Sequence, residues 1–261
     1  MTAADPSSPS AAAAPRILLV TGASRGIGAA VARLAARDGW DVAVNYARDA
    51  GAACRVADEV RAAGRRAITV QADVADEAAV LAMFARVDAE LGRLGGLVAN
   101  AGIVAMKARL DEMDSARWQR MLGVNVFGTW LCAREAVRRM STRHGGAGGT
   151  IVTIGSVASV LGAPAMYVDY ASSKGAIDSF TVGLAREVAT EGVRVNGVRP
   201  GIVDTGIHAD SGDARRAHRS ADLIPMQRPG TAEEIAQAVV WLLSDAASYV
   251  TGAMLPVSGG R

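Results

Sequence analysis

The chain has 261 residues, of which 50% are hydrophobic and 4% aromatic, and its formal net charge is +2. That length supports one large domain with an aliphatic core. The near-neutral charge, the scattered arginines and the lack of any apolar run long enough to span a bilayer give no case for nucleic acid or membrane as a partner.

Met1 to Ala14 is Ala, Ser and Pro with one acid. It lacks a basic segment followed by a long apolar one, so it is expected to be a disordered tail rather than a signal peptide, and cytoplasmic residence follows. Arg16 to Thr21 then reads as a buried strand. Ile27 to Asp38 reads as a helix, Asp41 to Tyr46 as a strand and Ala50 to Ala63 as a helix closed by Gly64. Arg66 to Gln71 is a strand, Glu77 to Leu91 a helix and Gly96 to Ala99 a short strand. Asp114 to about Arg143 is mainly helical, and Thr150 to Ile154 is a strand. Tyr170 to Glu191 is a helix and Val193 to Val198 a strand. Thr231 to Leu243 is a helix opened by a Thr231/Glu234 capping box, and Met254 to Val257 is a last strand.

Apolar strands alternating with helices predict an α/β fold. It is a doubly wound parallel sheet of seven strands with helices on both faces, in a single domain over 15–261. The segment Gly206 to Met226 fits neither pattern and is expected to be a lid or a disordered stretch. Cys54 and Cys132 form no CxxC pair and are expected as free thiols in a reducing compartment. His144, His208 and His218 have no ligand spacing, so no metal is expected.

The first strand runs into Thr21-Gly22-Ala23-Ser24-Arg25-Gly26-Ile27-Gly28. Glycines between a strand and a helix allow a tight turn and close approach of a pyrophosphate, which the free N–H groups of the helix start can hold. The spacing, Gly-x-x-x-Gly-x-Gly, resembles that of the short-chain dehydrogenases/reductases, and the resemblance extends from Arg16 to Arg261. Within that family the stretches Tyr167 to Ala176, Ile224 to Arg228 and Ser248 to Gly252 look similar to glucose 1-dehydrogenase-like and 3-oxoacyl-carrier-protein reductase-like members. The resemblance implies a Rossmann fold and a nicotinamide cofactor.

An acid at the end of the second strand would bind the ribose 2′-hydroxyl of NAD and repel a 2′-phosphate. That place falls near Tyr46, in Asn45-Tyr46-Ala47-Arg48, where no carboxylate stands. Arg48 and Arg25 would suit a 2′-phosphate, so NADP is expected, with NAD left open. The family resemblance implies that Asp73 and Val74 contact adenine, although Asp73 also reads as a turn or cap residue. Asn100-Ala101-Gly102 resembles the family's Asn-Asn-Ala-Gly motif, with Ala99 in place of the first Asn. The turn Pro200-Gly201-Ile202-Val203-Asp204-Thr205 is implied to lie against the nicotinamide, with the Val203 backbone and the Thr205 hydroxyl holding its carboxamide.

Tyr170 and Lys174 are four apart at the start of a predicted helix, which puts both on one face. Reducing a carbonyl needs hydride at carbon and a proton at oxygen. A phenol with its ordinary pKa of about 10 is a poor base at neutral pH. A nearby ammonium, with the positive charge of the oxidised nicotinamide, would lower that value. Lys174 can also hydrogen-bond the nicotinamide ribose. Ser156, after the strand Thr150 to Ile154, can hold the substrate oxygen, with Ser159 as a competing serine. Tyr167 carries Ala171 at the fourth position, so it is expected to line the pocket or pack under the loop. The stretch Leu161 to Val168 should shape that pocket. Asn125, in Gly123-Val124-Asn125-Val126, matches the residue that in this family holds a water between the lysine and solvent. A packing or kink role is its alternative.

The expected activity is hydride transfer between the cofactor and a carbonyl or secondary alcohol. The alternative is a cofactor-binding protein of regulatory or structural duty with little turnover. The helices containing Asn125 and Tyr170 are Ala-rich with apolar residues on more than one face. The family resemblance implies that they build a homotetramer together with the C-terminal segment.

Overall fold

Period-two alternation sorts the strand side chains onto the two faces of one sheet. In the computed structural model, which describes residues 16–207, 211–213 and 215–261, Leu18 and Val20 pack into one hydrophobic cluster and Ile17 and Leu19 into another. Val42 and Val44 join the first cluster and Ala43 the second. Strands buried on both sides need helices on both sides. The chain supplies them in order.

The elements are β1 (Arg16–Val20), α1 (Gly26–Arg37), β2 (Trp40–Tyr46), α2 (Ala50–Ala62), β3 (Ala67–Gln71), α3 (Glu77–Glu90) and β4 (Gly96–Ala99). Then come α4 (Ser115–Leu122), α5 (Gly128–Met140), β5 (Gly149–Ile154), α6 (Ala158–Leu161), α7 (Val168–Val188) and β6 (Val193–Pro200). The last are α8 (Arg216–Arg219), α9 (Ala232–Leu243) and β7 (Met254–Val257). The strands form a seven-stranded sheet in the order β3-β2-β1-β4-β5-β6-β7, and every pairing is parallel. Helices α1, α2 and α9 cover one face, and α3, α5 and the C-terminal part of α7 cover the other.

The ends of the helices follow local chemistry. Asp49 caps α2 by accepting from the Ala52 N–H, and Asp76 caps α3 by accepting from Ala78 and Ala79. Thr231 and Glu234 form the expected capping box on α9. The first turn of α1 has neither a side-chain cap nor an acidic residue. Its free N–H groups stand at the carboxyl end of β1, where β1 lies between β2 and β4 and the strand order reverses. Ligands of such sheets bind at that switch point.

Three local features differ from the sequence expectation. The Asp114 to Arg143 helix is broken by a π-helical turn at Gly123–Phe127, so α4 and α5 meet at a bulge. The short helix α6 lies inside a stretch read as loop. The described residues of the Gly206 to Met226 segment do not form the disordered stretch that was one of its two readings. Among its described residues it carries α8 and a 3₁₀ turn at Ala221–Leu223. Ala217 and Ile224 are buried there in a small cluster with Ile202. The Met1 to Ala14 tail and His208 lie outside the described residues. Among the described residues no helix is long and apolar enough to cross a membrane.

Candidate active site

A cavity of about 420 Å³ opens at the carboxyl ends of the strands. It lies under the β1–α1 turn, the end of β4, the β5–α6 turn, the start of α7 and the turn after β6. Each side of it is built by sequence that forces the backbone into place.

The glycine turn is locked from two neighbouring strands. Asn100 donates from Nδ2 to the carbonyls of Thr21 (2.8 Å) and Gly22 (3.1 Å). The N–H groups of Asn100 and Ala101 donate to the Thr21 hydroxyl at 3.0 and 2.9 Å. From β2, buried Asn45 accepts the Gly22 N–H at 3.0 Å and donates to the carbonyls of Val70 and Ala72. Asn45 thus ties the turn to the ends of β2 and β3. Sequence reasoning passed over it, because an Asn inside an apolar strand carries no motif.

The glycines are needed for space. A Cβ on Gly28 would sit 2.5 Å from Asn100 Nδ2 and 2.6 Å from the Gly22 carbonyl. A Cβ on Gly22, whose φ is +61°, would come within 3.0 Å of the Ala101 Cα. Ser24 and Arg25 complete the turn, and Ile27 lines the cavity. Arg25 is exposed and points one Nη toward Gly206, on the side of the turn after β6. Arg48 is exposed just past Tyr46 at the end of β2, and its charge reaches Asp73.

Asp73 is a turn residue, but Asp76 is the helix cap. The Asp73 carboxylate accepts from the Ala75 N–H at 3.0 Å and pairs with Arg120 at 2.8 Å. These bonds and the charge of Arg48 hold its pKa below the usual carboxylate value, against the opposing effect of burial. Val74 is buried and packs where α5 begins, against Gly128.

At the other end, Ser156, Tyr170 and Lys174 line the same cavity, together with Asn100, Gly102, Pro200, Gly201, Val203 and Thr205. The serine choice is decided by direction. Ser156 faces the cavity, whereas the Ser159 hydroxyl turns back to donate to the Ser156 carbonyl at 2.8 Å. Lys174 is 4% exposed and its Nζ donates to the Ile154 carbonyl at 2.7 Å. Burial lowers its pKa to about 8, and the charge of Asp178 opposes that fall.

Tyr170 departs from the expected tuning. Burial pushes its pKa up, and this outweighs a hydrogen bond with Ser156 and the charge of Arg216, both of which favour the phenolate. Lys174 is not among those influences. Its Nζ lies 5.7 Å from the centre of the Tyr170 ring and is directed at a backbone carbonyl. The charge expected from Lys174 is supplied by Arg216, a residue of the segment that carried no recognisable motif.

Asn125 sits in the π-helical turn, fully buried. It accepts the Ile103 N–H at 2.8 Å and donates to the Ile103 carbonyl and the Ser173 hydroxyl. Its oxygen and Lys174 Nζ are each 3.5 Å from the point a Cβ on Gly102 would occupy. These bonds tie the π-helical turn to Ile103 and α7, and Asn125 also borders the space beside the lysine.

Tyr167 lines the cavity and is buried, 2% exposed. The neighbouring wall is Leu161, Ala163, Pro164 and Met166. Ala163 and Ala165 there have φ of 45° and 56°, left-handed values that are strained for a residue with a Cβ. The start of α7 is fixed by a pair that sequence reasoning did not find. Asp169 takes two bonds from Arg117 of α4, at 2.7 and 3.1 Å, and Arg117 also donates to the Met106 carbonyl. Among the described residues no cluster of His, Cys, Asp or Glu is arranged to hold a metal ion.

The residues present fit a dinucleotide. The first turn of α1 offers uncapped N–H groups, and the adjoining glycines leave no room for side chains. Comparison with known proteins points the same way. A sequence profile of the family described as Enoyl-(Acyl carrier protein) reductase matches residues 22–261. The chain is similar to an uncharacterized oxidoreductase, YgfF, of Escherichia coli K12, at 52% identity over 94% of this chain and 99% of that one. It is 42% identical to cis-4-hydroxycyclohexanecarboxylate dehydrogenase of Sinomonas cyclohexanicum, over 95% of this chain and 96% of that one. Its fold matches the crystal structure of a short chain dehydrogenase from Burkholderia cenocepacia J2315 in complex with NADP. The TM-score is 0.86 at 36% identity, over 94% of this chain and 97% of that one.

Proposed function

The chain belongs to the short-chain dehydrogenase/reductase family, and from that premise we propose how its own residues perform the family's reaction. It is an oxidoreductase that transfers hydride between NAD(P) and an alcohol or carbonyl compound. The observation that carries the assignment of roles is that Ser156, Tyr170 and Lys174 line one cavity with the Pro200 to Thr205 turn.

The cofactor, when bound, supplies or accepts the hydride. Gly22, Ser24, Gly26 and Gly28 let its pyrophosphate approach the N–H groups of α1. Ile27, Asn100, Ala101, Gly102 and the Pro200 to Thr205 turn form the nicotinamide side. Ser156 holds the substrate oxygen beside Tyr170. Tyr170 gives its proton to that oxygen in reduction and takes it back in oxidation. Lys174 positions the nicotinamide ribose, and its positive charge adds to that of Arg216 in favouring the phenolate once cofactor fills the space between them. Asn125 borders the space through which a proton leaves Lys174.

NADP is the preferred cofactor in this reading. It is supported by the absence of a carboxylate in Asn45 to Arg48, by the exposed Arg48 beside Tyr46 and Asp73, and by the NADP bound in the related Burkholderia structure. The catalytic domain is read as 15–261, with 206–226 as a lid over the cavity. We place the protein in a reducing cytoplasm, which suits the free thiols Cys54 and Cys132. We also infer a homotetramer. Phe127 and Trp130 are exposed and stack edge to face at 5.4 Å, with Phe180 of α7 beside them and exposed Trp118 and Leu122 on α4. A surface cluster of that kind is an interface in waiting.

The test is Tyr170→Phe, assayed with a panel of ketones and secondary alcohols in both NADP and NAD. Loss of the proton donor should lower kcat by about 10²- to 10⁴-fold and leave NADPH binding intact. Undiminished turnover in this variant refutes the role given to Tyr170. Equal kcat/KM for NADP and NAD refutes the cofactor preference.

A further inference from the structure

The cavity holds more positive charge than the reaction needs. Among the described residues Lys174, Arg216 and Arg261 line it, and no carboxylate side chain does. Lys174 is used at the nicotinamide end. Arg216 favours the Tyr170 phenolate but is no part of the cofactor site. On its own segment Arg219 pairs with Asp213, whereas no carboxylate among the described residues pairs with Arg216. Its guanidinium instead lies over the Tyr167 ring, 4.9 Å from the centroid.

Tyr167 supplies a second, independent sign. Its side chain is buried in the wall of the cavity, yet its hydroxyl has no hydrogen-bond partner among the described residues. One Nη of Arg261, on the same cavity, is also buried without a partner. Buried donors left unpaired are costly, and they cluster where a ligand completes them. The Arg216 guanidinium over the ring and the Tyr167 hydroxyl in the same wall offer a row of donors, with the phenol oxygen as their one acceptor. The group that matches this row is an anionic oxygen pair. A carboxylate fits the guanidinium fork and carries the single charge that Arg216 balances.

We propose that the substrate is a small hydroxy or oxo acid whose carboxylate is held by Arg216 and the Tyr167 hydroxyl while its reacting oxygen lies at Ser156 and Tyr170. This rests on the assignment of Ser156 and Tyr170 made above. In oxidation the hydroxy acid loses hydride from carbon to the oxidised cofactor and the hydroxyl proton to Tyr170, which gives the oxo acid. The carboxylate is untouched. The size agrees, since a cavity of about 420 Å³ must hold the nicotinamide as well. Arg216, Ser156 and Tyr170 line the same cavity, which favours a compact acid over a long acyl chain.

The experiment separates binding from turnover. Calorimetry on the NADP-loaded protein compares cyclohexanecarboxylate with cyclohexanecarboxamide, an unreactive pair of the same shape. The carboxylate should bind about 10- to 100-fold more tightly, the range for hydrogen bonds to a charged group. Arg216→Ala should remove that preference, Arg216→Lys should keep part of it, and Tyr167→Phe should weaken the carboxylate with little effect on the amide. NADP affinity should stay within about twofold in all three, because none of them touches the cofactor in this reading. In turnover, 4-oxocyclohexanecarboxylate should exceed its carboxamide by a similar factor in kcat/KM, and that margin should vanish in Arg216→Ala. Equal affinity for acid and amide, binding of neither, or a loss of affinity in Arg216→Ala that strikes both alike would overturn the proposal. A carboxylate preference that depends on Arg216, alongside full activity in Tyr170→Phe, would leave the proposal standing and refute the catalytic reading.

Discussion

Removing Arg117 should loosen the start of the catalytic helix, and the structure sets the size of the effect. The side chains of Arg117 and Asp169 are 15% and 5% exposed. They share two bonds, at 2.7 and 3.1 Å, and a third Arg117 bond reaches the Met106 carbonyl at 2.6 Å. In Arg117→Met the Asp169 carboxylate stays buried without its cation. Breaking one side of a buried pair costs about 3–5 kcal/mol. Asp169 lies in the first turn of α7, where the helix dipole returns up to about 1 kcal/mol. The net loss is about 2–4 kcal/mol, which for a chain of this size lowers Tm by roughly 5–15 °C. Thermal melts at one fixed protein concentration measure it, since assembly also shifts Tm. A cycle with Asp169→Leu and the double variant should give a coupling of about 2 kcal/mol, with the double variant more stable than the sum of the singles predicts. Because Asp169 precedes Tyr170, kcat should also fall by about tenfold or more as the phenol moves. A Tm change under about 2 °C, or additive singles, would refute the view that this pair holds α7 in place.

Three further outcomes are expected. Gly28→Ala should lower NADPH affinity more than about tenfold and cost about 1–3 kcal/mol of stability, because its Cβ would sit 2.5 Å from Asn100 Nδ2 and 2.6 Å from the Gly22 carbonyl. A fluorescence titration beside a thermal melt checks both, and near-normal affinity would refute the crowding argument. Lys174 gives a pH signature. Its folded pKa of about 8 lies below the ordinary 10.5, so between those values the unfolded chain holds a proton that the folded chain lacks, and stability rises with pH. Wild type should gain about 3 kcal/mol over Lys174→Met across that window in cofactor-free denaturant titrations. Cys132, pushed up to about 12 by burial, acts the opposite way above pH 9, and the comparison cancels it because both proteins carry it. A flat difference would mean that Lys174 is not desolvated. Finally, Phe127→Glu with Trp130→Glu should convert the proposed tetramer to smaller species by light scattering, and a wild type that is already monomeric would refute the interface.

Much of this protein was legible along the chain because the deciding physics is local. Aliphatic runs such as Ile17 to Val20 and Val42 to Val44 can only be strands buried on both faces, and the helices between them must then cover both sides. Glycines at 22, 26 and 28 mark a backbone turn, and Thr231 with Glu234 marks a helix start three residues ahead of its first buried side chain. The spacing of Tyr170 and Lys174 puts them on one face of a helix, whatever else surrounds them. These are effects of neighbours within a few residues, and a sequence displays its neighbours.

Other features depend on groups brought together from distant places. Asn45 means nothing in β2 until β1 and β3 lie beside it. Arg117 and Asp169 are 52 residues apart and meet only when α4 packs on α7. The pKa of Tyr170 was expected to answer to the lysine four residues on, yet burial raises it against the Ser156 hydrogen bond and the charge of Arg216, and Lys174 is turned toward Ile154. The sequence by itself determined the sheet, the glycine turn and the placing of Tyr170 and Lys174, the proposed reacting pair, on one helix face. The tertiary structure alone decided what surrounds that pair: which serine faces it, which further cation acts on it, and that Arg216 lies over the Tyr167 ring in the wall of the same cavity.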